Sequence, residues 1–150
     1  MDNRAAAPVV GKTLEIAVLV VFVGLISAAL FGSVVPAYRT AAGAEVGDRV
    51  LVASVGQVEV AAEAPESVGT RRVALSVPRT IRGEPYVLSA DSVNGTPTLT
   101  LAHPQPEIGG THALSVPSEV VSVAGEVRST TAPTVVVSRQ RGGTLAVVLQ

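Results

Sequence analysis

Several groupings of residues carry types and spacings that could do chemistry. His103, Glu107 and His112 could offer nitrogen and oxygen ligands to a metal across a turn. Their intervals match no zinc pattern, and Pro104, Pro106 and Gly109-Gly110 around them read as exposed loop. Gly11-Lys12-Thr13 has the ending of a phosphate-binding loop, but the first glycine of that motif would fall on Ala6, and no strand precedes it. Ser, His and Asp all occur, yet no Gly-x-Ser-x-Gly elbow presents a nucleophile. Asn94-Gly95-Thr96 is an N-glycosylation sequon, which makes Asn94 a candidate modification site, although Pro97 directly behind it disfavours transfer of the glycan. Arg71-Arg72 reads as a solvated pair rather than a nucleic-acid patch, because only isolated basic residues follow. The expectation is therefore a protein that is not an enzyme, with no catalytic residue, metal site or cofactor.

The elements that would position such residues follow from composition. Of 150 residues, 47% are hydrophobic and only 15% charged, with 11 Lys+Arg against 12 Asp+Glu, and the mean hydropathy is +0.47. That is too apolar for an ordinary soluble domain or a disordered chain. A formal net charge of -1 provides no basic field for a phosphate backbone, so nucleic acid is not an expected partner. The absence of cysteine removes thiol nucleophiles, iron–sulfur clusters and disulfides.

The apolar residues are concentrated. From Ile16 to Tyr38 there is no charge; as a helix this run is roughly 34 Å long, enough for a hydrocarbon core of about 30 Å. The sequence thus predicts a cytoplasmic leader over 1–15, a transmembrane helix over 16–38, a helical stalk or linker over 39–66 and an extracytoplasmic β domain over 67–150. Arg4 and Lys12 ahead of the span give a slight positive-inside bias, placing a single-pass protein in the cell membrane with its C-terminal part outside. Small residues along the span, Gly24, Ala28 and Gly32, are candidates for helix association. The competing reading is a signal peptide cut near Ser27-Ala28-Ala29, against which the apolar run is long.

Residues 37–63 read as an amphipathic helix with a stripe of Val46, Val50, Val55, Val58 and Ala62 and a Glu45–Arg49 pair at i,i+4. Gly43, Gly47 and Gly56 count against it, and short strands over 49–55 and 58–62 are the alternative. From Thr70 onward, short Val-, Thr- and Ser-rich runs predict strands over 71–77, 81–90, 97–102, 111–116, 120–128, 134–139 and 144–149. Asn94-Gly95 predicts a type I′ hairpin, and Arg141-Gly142-Gly143 another turn. Ala74-Leu75-Ser76-Val77-Pro78 returns as Ala113-Leu114-Ser115-Val116-Pro117, two similar strand-to-turn corners. The fold class is α+β: a transmembrane helix extended by an amphipathic one, then an all-antiparallel β domain of about six to seven short strands, of sandwich type.

Residues Arg4-Ala5-Ala6-Ala7-Pro8-Val9-Val10-Gly11, directly ahead of the apolar span, resemble the class III signal of archaeal type IV pilins of the haloarchaeal type. In those signals a charged and a small residue precede a stretch reading Val-Ser-Pro-Val-Ile-Gly. The resemblance implies a processing site made of Arg4, Ala5, Ala6, Pro8 and Gly11, with a prepilin peptidase cutting after Ala5 and leaving Ala6 at the mature N-terminus. Such a cut removes the leader and spares the helix. It also frees an α-amine for a carboxylate in an apolar bundle, where little screens the attraction. The departures are Lys12 and Glu15 in a region that is apolar in most such pilins, and Ala7 in place of serine. Lys12 and Glu15 are spaced to pair on one helix face and so lower each other's cost in lipid.

The resemblance ends near residue 36, while Thr80-Ile81-Arg82-Gly83 is similar to a corner in haloarchaeal pilin-like membrane proteins. It implies a pilin-like or accessory pilin subunit on the cell surface, with the membrane, prepilin peptidase and other pilin-like subunits as partners in a homo- or hetero-oligomer. A signal-anchored exterior binding domain that does not polymerise is the alternative.

Overall fold

The computed structural model describes residues 6–63, 69–140 and 142–150. The chain divides into two units, 1–40 and 41–150.

The first unit is helical. Ala6–Ala29 form α1, Leu30–Val34 a π-helical turn, and α2 runs over Val35–Ala62. Pro36 accounts for the wide turn: it has no N–H for the Gly32 carbonyl, and its ring would press on that carbonyl in a regular α-helix. The Val35 N–H instead reaches back to the Leu30 carbonyl, a five-residue step, and the Ser33 hydroxyl donates to the Ala29 carbonyl at 2.8 Å. The Ala29 and Leu30 carbonyls thus keep donors through the wide turn. From Val10 to Val34 every residue is exposed, and the helix is long and apolar enough to cross a membrane.

The second unit joins the greater part of α2 to one seven-stranded sheet. The strands are β1 (Thr70–Ala74), β2 (Val87–Val93), β3 (Thr96–Ala102), β4 (Gly109–Ala113), β5 (Val120–Arg128), β6 (Thr134–Arg139) and β7 (Leu145–Leu149), in the spatial order β1-β6-β7-β5-β2-β3-β4. The alternation of buried and exposed residues, as in β2 and β6, gives the sheet one core face. Leu88, Leu99, Val127, Val135, Val147 and Leu149 lie on it, and α2 adds Val50, Leu51, Val58, Ala61 and Ala62 to the same core.

Four expectations need correction. The sheet is mostly rather than wholly antiparallel, because β5 and β7 are parallel. The β6–β7 hairpin folds back so that its second strand lies beside β5, and a strand reached that way runs in the direction of β5. There is a single hydrogen-bonded sheet instead of the two sheets of a sandwich; a helix supplies the second layer. The strand expected over 81–90 starts at Val87. Ahead of it, Ile81 and Glu84 close a two-residue turn with bonds of 2.9 and 3.0 Å, in which Arg82 and Gly83 both have positive φ, the type I′ pattern. Finally, the apolar stripe of α2 is shifted: Val50, Val58 and Ala62 are buried but Val46 is exposed, and the buried line runs through Gly43, Gly47, Leu51 and Ser54. The Asn94-Gly95 turn forms as the sequence predicts, with φ of 52° and 80°.

The repeated pentapeptides explain how sheet and helix fit together. They follow the two edge strands, β1 and β4. In each, the leucine enters the core and its N–H donates at 2.8 Å to a proline carbonyl of the neighbouring strand's start, Leu75 to Pro133 and Leu114 to Pro97. In each, the serine N–H donates to an α2 side chain: Ser76 to Gln57 Oε1 at 2.7 Å and Ser115 to Glu59 Oε1 at 2.6 Å. Gln57 and Glu59 flank the fully buried Val58, so they leave the helix on opposite sides. Laid flat, six gaps between strands would separate the edges by about 29 Å. Both edges reach neighbouring residues of one helix, so the sheet must curl around α2. Gly125 in the central strand permits this with φ of 119°; a Cβ there would collide with the Leu149 carbonyl.

Candidate functional site

The strongest candidate is α1 itself. Arg4 and Ala5 of the expected processing site lie outside the described residues; Ala6, Pro8 and Gly11 fall within α1. Lys12 Nζ and Glu15 Oε2 form the ion pair expected from their spacing, at 3.1 Å. Gly24 and Gly32 have open space where a Cβ would stand, and Ala28 is exposed. In a regular α-helix each step of four residues overshoots a full turn by about 40°. The π-helical turn takes more than four residues to go round, so it takes back part of that drift. Gly32 is thus held nearer the line of Gly24 and Ala28 than its spacing alone implies.

The other candidates are separated or already engaged. Among the described residues no group of three His, Cys, Asp or Glu side chains could hold a metal. His103 Nδ1 accepts from the Gln105 N–H at 3.0 Å, which leaves its Nε2 to donate to the Ile81 carbonyl at 3.1 Å. Both ring nitrogens therefore serve the loop. His112 lies 3.4 Å from Asp48 Oδ1 on α2. Gly11-Lys12-Thr13 is inside α1, not in a loop before a helix. Asn94 is exposed at the tip of the β2–β3 turn, where a glycan would have room.

Two concavities of the second unit were not legible in the sequence, since each gathers residues from distant segments. A cleft of about 550 Å³ is lined by Ala62, Glu63, Pro117, Glu119, Arg139 and Leu145. An apolar pocket of about 290 Å³ is formed by Pro85, Tyr86, Val87, Ala102 and Pro104, with His103 and Arg128 at its rim. Beneath it Tyr86 donates from its hydroxyl to the Pro78 carbonyl at 2.7 Å. Burial pushes the Tyr86 phenol up to about 12, because the charged form would lose its hydration. Ser129 ties the same loop, donating to the Arg79 carbonyl at 2.7 Å and accepting from the Tyr86 N–H at 3.2 Å.

The chain belongs to a family of unknown function (DUF7266), whose model matches residues 1–150, helix and β domain alike. No curated protein and no solved structure matches it.

Proposed function

We propose that this chain is a type IV pilin-like or accessory pilin subunit, held in the cell membrane by α1 with its β domain outside. The observation that carries this reading is the helical stretch from Ile16 to Val34, uncharged and exposed on every side. A surface of that kind needs lipid or other helices around it. The charged–small–Pro-Val-Val-Gly order ahead of it supports removal of the leader by a prepilin peptidase after Ala5. In the bilayer the helix stores the subunit, since lipid tails give apolar helices little reason to associate. Once a secretion machine extracts it, packing against neighbouring helices removes apolar area from water at about 25 cal/mol per Å². The β domain then sets contacts with partner subunits. Nothing in this role requires catalysis or a cofactor.

The test is the N-terminal residue of the protein recovered from membranes, read by intact mass. Ala6 is expected. Met1 or Asp2 would overturn prepilin-type processing and leave an anchored exterior domain, and Leu30 would overturn anchoring as well. A Gly24→Leu or Ala28→Leu change is expected to impair filament formation more than membrane insertion.

A further inference from the structure

The sheet ends in two edge strands, β1 and β4, whose free backbone groups match. The Leu75 N–H donates to the Pro133 carbonyl and the Leu114 N–H to the Pro97 carbonyl. One residue earlier, and at every second residue before that, N–H and C=O therefore turn away from the sheet. Those residues are Thr70, Arg72 and Ala74 on β1 and Gly109, Thr111 and Ala113 on β4. All six are exposed. The next outward N–H on each edge, that of Ser76 or Ser115, is already taken by α2. Each edge is left with a row of the same length, a template for another strand.

The two rows also run in opposite directions. Every pairing across the sheet is antiparallel except that of β5 with β7, so β4 ends up antiparallel to β1. A second copy can thus lay its β1 against β4 as an antiparallel strand while keeping the direction of the first. Bounded by the capped serines, the rows align with Thr70 opposite Ala113, Arg72 opposite Thr111 and Ala74 opposite Gly109. The faces agree in this register. Val73 packs against the core, so Arg71 shares its face and Arg72 points outward. His112 is level with the buried Leu99, so it shares the core face and Thr111 points outward.

Charge fits as well. Arg71 comes opposite His112, which lies 3.4 Å from the Asp48 carboxylate of α2. Arg71 has no ion-pair partner among the described residues, and Asp48 is exposed, so the seam brings a cation to an accessible anion. Pairing β1 with a second β1 would instead set Arg72 against Arg72, like charges in direct opposition. Pairing β4 with a second β4 brings no cation to Asp48.

We infer that β4 of one copy takes up β1 of the next, joining the β domains of successive subunits into one continuous sheet. The contact is head-to-tail, so each added copy leaves an edge open for another. Because each sheet curls, successive copies turn about an axis along the strands, which builds a ring or an open filament. The inference rests on the subunit reading, to which it adds the contact made by the β domain.

The chain has no cysteine, so disulfide trapping reads the contact directly. Opposed residues that exchange backbone bonds in an antiparallel pair lie about 5.5 Å apart at Cα, within disulfide range. Full-length Arg72→Cys and Thr111→Cys chains, differently tagged, are co-expressed in the native host, and membranes with any shed filaments are oxidised mildly. A mixed disulfide dimer is expected, while neither variant alone should give one. Thr70→Cys with Ala113→Cys, the next pair along the seam, should behave likewise. Asn94→Cys, exposed at the β2–β3 tip, should give none with Arg72→Cys. Adding Arg71→Asp to the Arg72→Cys chain should cut the yield several-fold, and adding Asp48→Arg to its partner should restore it. A dimer from Thr111→Cys alone overturns the head-to-tail contact in favour of a two-fold one. No disulfide from either pair, in protein that begins at Ala6, overturns the strand contact and leaves the pilin-like reading standing. A mixed disulfide in protein that begins at Met1 or Asp2 upholds the strand contact and overturns prepilin-type processing.

Discussion

Gly24 and Gly32 stand in the first unit, Gly43 and Gly47 in the second, all four in helical backbone, yet their surroundings are opposite. Beside Gly24 and Gly32 there is open space. At Gly43 a Cβ would meet Arg82 and Ile108 at 2.6 Å, and at Gly47 it would meet Ile108 at 3.0 Å and the Gly109 backbone at 3.3 Å. The same residue type thus marks a filled contact in one unit and an unfilled one in the other. A helical glycine costs stability in isolation, so its retention is explained where a neighbour needs the room. In the first unit the association of subunits proposed above would supply that neighbour.

The sharpest way to test the contrast is to remove the same side chain from both units. Leu51 is buried in the core, and Leu51→Ala should lower the stability of the β domain by about 2–5 kcal/mol. Leu25→Ala, in the exposed stretch of α1, should leave it unchanged; chemical denaturation of the full chain in detergent, followed by far-ultraviolet dichroism, reads both. Filling the glycines is the converse. Gly47→Leu should cost about 1–3 kcal/mol by overpacking against Ile108, whereas Gly24→Leu should not move the denaturation midpoint. A loss of similar size from both would mean that α1 is already packed against something.

A third test concerns Tyr86. Its phenol titrates near 12 in the fold but near 10 in an unfolded chain, so folding favours the protonated form. This contribution is complete below about pH 10 and is lost as pH rises towards 12. Tyr86→Phe should flatten that alkaline loss and cost about 1–2 kcal/mol at neutral pH, since the Pro78 carbonyl loses its donor. The smallest effects belong to the edge corners. Gln57→Ala and Glu59→Ala should each cost about 0.5–1.5 kcal/mol, by leaving the Ser76 or Ser115 N–H without its side-chain acceptor. Comparable losses from the two would support the equivalence of the two edges.

What the sequence disclosed is what local chemistry determines. Asn94-Gly95 announced its turn because both residues accept positive φ, and β5 and β6 begin and end where their Val-rich runs do. Glu45 and Arg49 pair at 2.9 Å, as their spacing requires. The buried face of α2 is hidden in the sequence because Gly43 and Gly47, which helix propensity counts against, are the contact itself. Strand order was hidden for another reason: alternation says which side of a strand is buried, never which strand lies next to it. Both concavities depend on that order, and so were out of reach. The pentapeptide repeat was visible, but its role at the two edges required the sheet to be seen curled around the helix.

The position of β7 governs how the domain can come into being. It is the last strand in the sequence, yet it lies between β5 and β6 in the sheet's interior. Until residues 145–149 have been delivered, β5 lacks one neighbour and β6 can hold only its edge partner β1. The sheet therefore cannot close strand by strand as synthesis proceeds. Three of its six pairings, β1–β6, β2–β5 and β5–β7, join strands far apart in the chain, which slows closure. The helix is made first and can be held by the bilayer while the strands wait, unpaired and vulnerable to aggregation, for the segment that completes them.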